Sequence, residues 1–159
     1  MAVTSNYSGR TTDLFIFQGA ALGGDRPIYL GFGGTTGGQV TTGIQKLSQT
    51  FAILLLTERG SVPDNPDWGT NLLAAVRTGG VRNETDVKAI VSLAIEQSRS
   101  LLGVLAEQQT LPDDETFKTA TLQSFRIDEE KSTLTLYIKV TSAAGETRDI
   151  VLPVPVPIY

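Results

Sequence analysis

The chain has 159 residues, enough for one domain with a real core and short for two. Thirteen basic against seventeen acidic side chains leave a formal charge of -4, which suits solubility and disfavours a surface that must neutralise many phosphates; nucleic acid is not an expected partner. Cysteine and histidine are both absent, which excludes disulfides, thiolate nucleophiles, a histidine-containing triad and the usual zinc sites, leaving only oxygen-ligated metal sites open.

The first residues, MAVTSNYSGR, carry no basic stretch followed by an apolar run, so no secretion signal is expected. The longest hydrophobic run, residues 51–56, is far below the roughly 20 residues of a membrane-crossing helix, so a soluble chain with no membrane partner is the expectation. Ten of the sixteen glycines fall within the first 43 residues, in pieces such as GGDRP and GFGGTTGG. Such a segment reads as loops, because glycine relieves the bar on positive φ but costs backbone entropy on ordering. Within it DLFIF is too apolar for a spacer and predicts a short strand from Leu14 to Phe17, added to this domain or to a neighbouring subunit.

From Ile44 the pattern changes. Ile44, Leu47, Phe51, Leu54 and Leu55 recur at helical spacing, with Gln45, Lys46, Ser48 and Gln49 assigned to the polar side and Thr41 or Thr42 as cap. FAILLL alone fits a buried strand equally well; the preceding turn and a half decides for helix. Residues 57–69, TERGSVPDNPDWG, form a turn-rich connector, since two prolines fix φ and Asp64, Asn65 and Asp67 can bond local amides. LLAAV is then a short helix capped by Thr70 or Asn71 and stopped at Gly79 and Gly80. Asn83 or Thr85 opens the main helix, with an apolar stripe of Val87, Ile90, Val91, Ala94, Leu101, Leu102 and Leu105; Gly103 weakens it and Pro112 closes it.

The last third reads as strand. Residues 122–128 lead into a turn at 129–132, and Leu134, Leu136, Ile138 and Val140 then alternate with Thr135, Tyr137, Lys139 and Thr141, the signature of a half-buried strand. Ala144 and Gly145 turn the chain into a third strand with Ile150, Leu152 and Val154 on one side. Pro153, Pro155 and Pro157 cannot donate to a ladder, which puts that strand at an edge or takes it off the sheet. The predicted fold is α+β: two or three helices packed on a three-stranded antiparallel meander, with a glycine-rich N-terminal extension over residues 1–28 and the domain proper over 29–159.

The stretch QKLSQTFAILLLTERGSVPDNPDWGTNL resembles the signature of the lysozyme-like baseplate wedge and tail-sheath initiator family of contractile injection systems. In that family a helix ends in Leu-x-Thr, followed by a charged turn, a proline, an aromatic-glycine pair and a leucine. Those places are filled here by Leu55, Thr57, Glu58, Arg59, Gly60, Pro66, Trp68, Gly69 and Leu72. The resemblance extends over about residues 29–156 and includes the glycine-rich lead-in and the order helix, helix, meander. The Glu-Pro-Arg motif of many members has no counterpart in LAEQQTLPDDETF. The resemblance implies a non-enzymatic structural component of a phage tail baseplate wedge, assembled in the host cytoplasm into the virion. It would dock near the hub and initiate sheath assembly by strand addition. Its implied partners are other wedge proteins and tail sheath or tube-hub proteins, with no cofactor, metal or small-molecule substrate. The alternatives are a small tail-associated glycan hydrolase and a soluble adaptor of the same fold.

Five residues are candidate interface positions: Arg59, Trp68, Val154, Val156 and Tyr159. Arg59 fixes the connector or an interface through an ion pair, or is a plain exposed turn arginine. Trp68 is first a core plug, because Gly69 after it suggests close approach to packed backbone, and second a docking anchor. Val154, Val156 and Tyr159 belong to the proline-marked edge, which either takes a partner strand or lies over the domain's own apolar surface. Asp64, Asp67, Asp113 and Asp114 match no metal-binding loop, and GFGGTTGG lacks the lysine and hydroxyl end of a phosphate-binding loop. A monomer or weak associate in isolation is expected.

Overall fold

The apolar spacing after residue 43 does form a helix, α1 (Gly43–Leu56), in a computed structural model that describes Asp13, Leu14 and residues 40–156. Leu47, Phe51, Leu54 and Leu55 are buried in it, as the spacing requires. Ser48 and Gln49, read from sequence as polar-side residues, are each only 2% exposed. The reason is that α1 is clasped on several sides, by α2 (Leu72–Arg77), α3 (Glu84–Gln108) and the strands β4 (Thr133–Ser142) and β5 (Thr147–Pro155). Ser48 meets this burial by donating its hydroxyl to the Ile44 carbonyl at 2.7 Å, a local solution that needs no partner from outside the helix.

Two very short strands precede α1: β1 (Asp13–Leu14) pairs antiparallel with β2 (Val40–Thr41). The strand expected from Leu14 to Phe17 thus begins one residue earlier, and its partner belongs to this chain; residues 15–17 lie outside the described residues, as does Tyr159.

Helix α2 stops where the two glycines predicted it. Gly79, at φ 75°, donates to the Val76 carbonyl and Gly80 donates to that of Ala75 at 2.9 Å, so these two carbonyls of the last turn are satisfied. Asn83 opens α3: its side chain accepts from the Asp86 amide at 2.9 Å, while the Asp86 carboxylate accepts from the Arg82 amide at 3.2 Å. By length and composition α3 would suffice to cross a membrane, yet its Val87, Val91, Ala94, Ile95 and Leu102 face is spent on the core.

The remaining strand, β3 (Phe117–Asp128), completes a sheet in the order β3-β4-β5, all antiparallel. Leu134, Leu136, Ile138 and Val140 of β4 and Ile150, Leu152 and Val154 of β5 form one apolar face, none more than 2% exposed. The helices pack on this face, and Phe51 of α1 stacks flat on Phe117 of β3 with ring centroids 5.6 Å apart. The fold is therefore the expected α+β meander, with three helices among the described residues where two or three were expected.

Strand β3 departs from simple alternation in a way that shapes the rest of the molecule. Leu122 stands opposite Ile138 and Ser124 opposite Tyr137, so Gln123 is an extra residue with no partner on β4. The bulge resets the phase: Ala120 and Leu122 lie opposite core residues before it, Phe125 and Ile127 after it.

Candidate functional site

The connector between α1 and α2 closes on itself through backbone hydrogen bonds. Thr70 donates to the Thr57 carbonyl at 2.8 Å and Arg59 donates to that of Thr70 at 3.0 Å, while Gly60 reaches the Pro66 carbonyl at 2.8 Å. The Thr70 hydroxyl, fully buried, donates to the Leu55 carbonyl at 2.9 Å and accepts from the Leu72 amide at 3.3 Å, tying the end of α1 to the start of α2. Arg59 forms an ion pair with Asp67 at 2.6 Å, its side chain 49% exposed and the partner's 74%. In such exposure the pair contributes about 0–1 kcal/mol, so the connector is held by its backbone bonds far more than by this charge pair. Trp68 is half-buried and packs against the core, and Gly69 after it runs against the Thr57 backbone as its position suggested.

At the other end of the chain, Val154 is fully buried opposite Leu134, and Val156 packs on the core while its amide donates to the Ser132 carbonyl at 2.8 Å. Arg59 and Trp68 belong to the connector, Val154 to the edge strand β5 and Val156 to the residue just after it, so the structure sets the candidate positions in two separate places.

Residues that sequence reading passed over form an open concavity. An open groove of about 650 Å³ runs between α3 and β3, lined by Glu84, Lys88, Ser92, Ile95 and Glu96 from the helix and residues 120–125 from the strand. The helix contributes these because residues 84, 88, 92, 95 and 96 fall on the flank next to its core stripe, at spacings of three and four. Strand β3 is an edge of the sheet, so nothing from the meander covers this side. The lining residues include hydroxyl-bearing Ser92, Thr121 and Ser124, the carboxamide residue Gln123, the carboxylate residues Glu84 and Glu96, and apolar Ile95, Leu122 and Phe125. Its charges are matched locally: Glu84 lies 3.7 Å from Lys88 and Glu96 lies 3.6 Å from Arg99. The sequence did carry one signal for this groove, the slip in apolar phase between Leu122 and Phe125, which marks a bulge at Gln123.

A second feature missed from sequence is Glu115, 3% exposed in the loop before β3. Its carboxylate accepts from the Gly43 amide at 3.2 Å and pairs with Lys46 at 3.0 Å, placing a negative charge at the N-terminus of α1. The adjoining cavity is only about 60 Å³, so this carboxylate serves to anchor the helix. Among the described residues no group of three or more Asp or Glu side chains stands close enough to hold a metal ion.

No protein-family model matches the chain, and no curated protein matches it. Among solved structures it is similar to a crystal structure at 1.44 Å from Geobacter sulfurreducens, named as a candidate tail lysozyme, with 19% identity over 72% of this chain and 91% of that one at a TM-score of 0.47. A name of that kind stands against the expectation that this chain is not an enzyme, and against its reading as a purely structural wedge and sheath initiator; both are withdrawn. At this identity and TM-score the likeness assigns no activity here.

Proposed function

We propose that this chain is a tail-associated protein directed at glycan, and that the groove between α3 and β3 is where the glycan strand lies. The tail context is supported by the resemblance of the connector stretch ending at Leu72. The glycan assignment rests on the composition of the groove lining: hydroxyl and carboxamide residues together with apolar ones, an aromatic ring among them, are the mixture that the polar rim and apolar C–H plane of a sugar require. Locally balanced charge and a net charge of -4 favour a neutral polymer over a nucleic acid.

Cleavage in this groove would depend on one carboxylate at a time. Glu84 and Glu96 are twelve residues apart on one helix, about 18 Å by helical rise, against about 5–9.5 Å for the acid pair of a glycoside hydrolase. Glu96 shares the groove with Ser92, Gln123 and Ser124, which makes it the acid to test. Sedimentation of the purified protein with insoluble peptidoglycan, together with an assay for released reducing ends, tests both levels. The expected result is co-sedimentation by the wild type and by Glu96→Gln, with any release of ends lost in Glu96→Gln. A protein that stays wholly in the supernatant overturns the glycan reading.

A further inference from the structure

The helices pack on the sheet face of Leu134, Leu136, Ile138 and Val140, so the residues that alternate with them, among them Thr135, Tyr137 and Lys139, belong to the opposite face. The register extends that outer face onto β3: Arg126 stands opposite Thr135, Ser124 opposite Tyr137, Thr121 opposite Lys139 and Thr119 opposite Thr141. Lys118 is the extra residue beside Thr119, left without a partner by the register shift after Phe117. Tyr137 is 38% exposed, and these β3 residues are exposed as well.

Three cations thus lie on one face of a chain whose net charge is -4. Elsewhere Lys46, Arg59, Arg77, Lys88 and Arg99 are each paired with a carboxylate, whereas Lys118, Arg126 and Lys139 make no ion pair among the described residues. Asp149 stands opposite Lys139 on β5 without closing such a pair, and Asp128, at the turn, accepts from the Lys131 amide at 3.1 Å. The face therefore keeps a surplus of positive charge. At a rise of about 3.4 Å per residue, Lys139 and Arg126 stand about 13 Å apart along the strands, and Lys118 lies about 7–10 Å beyond Lys139. Tyr137 sits at the level between Lys139 and Arg126. A nucleic acid strand needs a denser row of cations than this. Charges separated by rings fit the spacing, with the hydroxyls of Thr121, Ser124 and Thr135 available to ring hydroxyls and Tyr137 to a C–H plane. We infer that this outer face binds an acidic polysaccharide, a glycan with carboxylates on its rings, through Lys118, Lys139 and Arg126 around Tyr137. The site goes beyond the reading of the α3–β3 groove; the two have only the edge strand β3 in common.

Hexagalacturonate and its fully methyl-esterified form share one backbone and differ in charge, so calorimetric titration of each into the full chain at low salt provides the test. Three exposed charge contacts correspond to about tenfold tighter binding of the acid, a preference that fades as salt is added. Lys139→Gln and Arg126→Gln should each weaken the acid about two- to fivefold and leave the ester unchanged. Together they should weaken it by about tenfold, because the two positions are too far apart to share one carboxylate. Tyr137→Thr should instead weaken both ligands alike, the mark of a ring contact. Neither cation is buried or paired, so both charge variants should melt with the wild type, which separates loss of recognition from loss of fold. No binding of the acid, equal binding of acid and ester, or an undiminished preference in the double variant overturns the site. An oligothymidylate bound more tightly than hexagalacturonate assigns the face to nucleic acid and overturns the polysaccharide. Sedimentation with peptidoglycan tests the groove separately, so either reading can fail without the other.

Discussion

Lys46 and Glu115 meet 3.0 Å apart across 69 residues of sequence, with the carboxylate side chain 2% exposed and the ammonium side chain 16%. The contact pins the first turn of α1 to the loop that leads into β3. That loop is tied in turn to the β4–β5 hairpin, through the Ala143 amide on Thr116 and the Ala144 amide on Asp113. Three parts of the fold therefore share one junction. Stripping the cation from a buried carboxylate costs about 3–5 kcal/mol, because the charge remains and its cationic partner is gone. Lys46→Met should lose that much in urea denaturation at unchanged m-value, and adding Glu115→Gln should return most of it. A single variant within about 0.5 kcal/mol of wild type would show that water already solvates the carboxylate.

Gly60 and Gly69 both hold positive φ in the connector, at 86° and 104°, but in different surroundings. A Cβ on Gly60 meets nothing within 4 Å, whereas one on Gly69 would drive into the Thr57 carbonyl, 2.9 Å from its carbon. Gly60→Ala should cost about 1–2 kcal/mol from conformation alone. Gly69→Ala adds an overlap with backbone that closes the loop, and about 2–4 kcal/mol is expected. Equal losses in thermal melts of the two variants would mean that the Thr57 carbonyl yields at no cost.

Gly103 gives a prediction of opposite sign. It lies in α3, exposed, with open space where a Cβ would be and no positive φ. Alanine there limits the unfolded chain and favours the helix, so Gly103→Ala should raise stability by about 0.5–1 kcal/mol. A fall in the melting temperature would indicate that something packs on this turn of the helix.

The helices and the meander were legible in the sequence because their signals are local. Spacing at three and four residues marked α1 and α3, two glycines ended α2, and strict alternation marked β4. What escaped was set by partners distant in the chain. Ser48 and Gln49 look polar and exposed within their own helix, and their burial follows only from the several elements packed around α1. Glu115 resembles one more acid in DDET until Gly43 and Lys46 arrive beside it. Strand β3 was begun too late, at residue 122 instead of Phe117, because the register shifts after Phe117 and after Leu122 break the period-two pattern that identifies a strand. The groove went unseen for the same reason. Of the candidate interface residues, the alternation did place Val154 on the apolar side of its strand, but only the pairing with Leu134 shows that side closed over by the core.

The two prolines of β5 lie on the outermost strand of the sheet, and the register tells which way their backbone faces. The Val156 amide points back toward the β4 side, donating to Ser132, and successive residues of an extended strand turn their amides to opposite sides. Residues 154 and 152 therefore follow Val156 inward, while 155, 153 and 151 turn toward the open edge. Pro153 and Pro155 thus remove donors where no ladder bond to β4 is lost, and they blunt the edge against indiscriminate pairing. Replacing both with threonine, Pro153→Thr with Pro155→Thr, restores two outward amides on exposed positions without touching Leu152 or Val154. Folding stability should fall by no more than about 1 kcal/mol per site, the entropy that proline removes from the unfolded chain. Self-association should rise instead, seen in sedimentation velocity as a concentration-dependent shift absent from the wild type. A double variant that stays as monodisperse as the parent would show that the prolines are not what protects this edge, whereas one that loses most of its stability would mean that these positions bond inward and the register is offset by one.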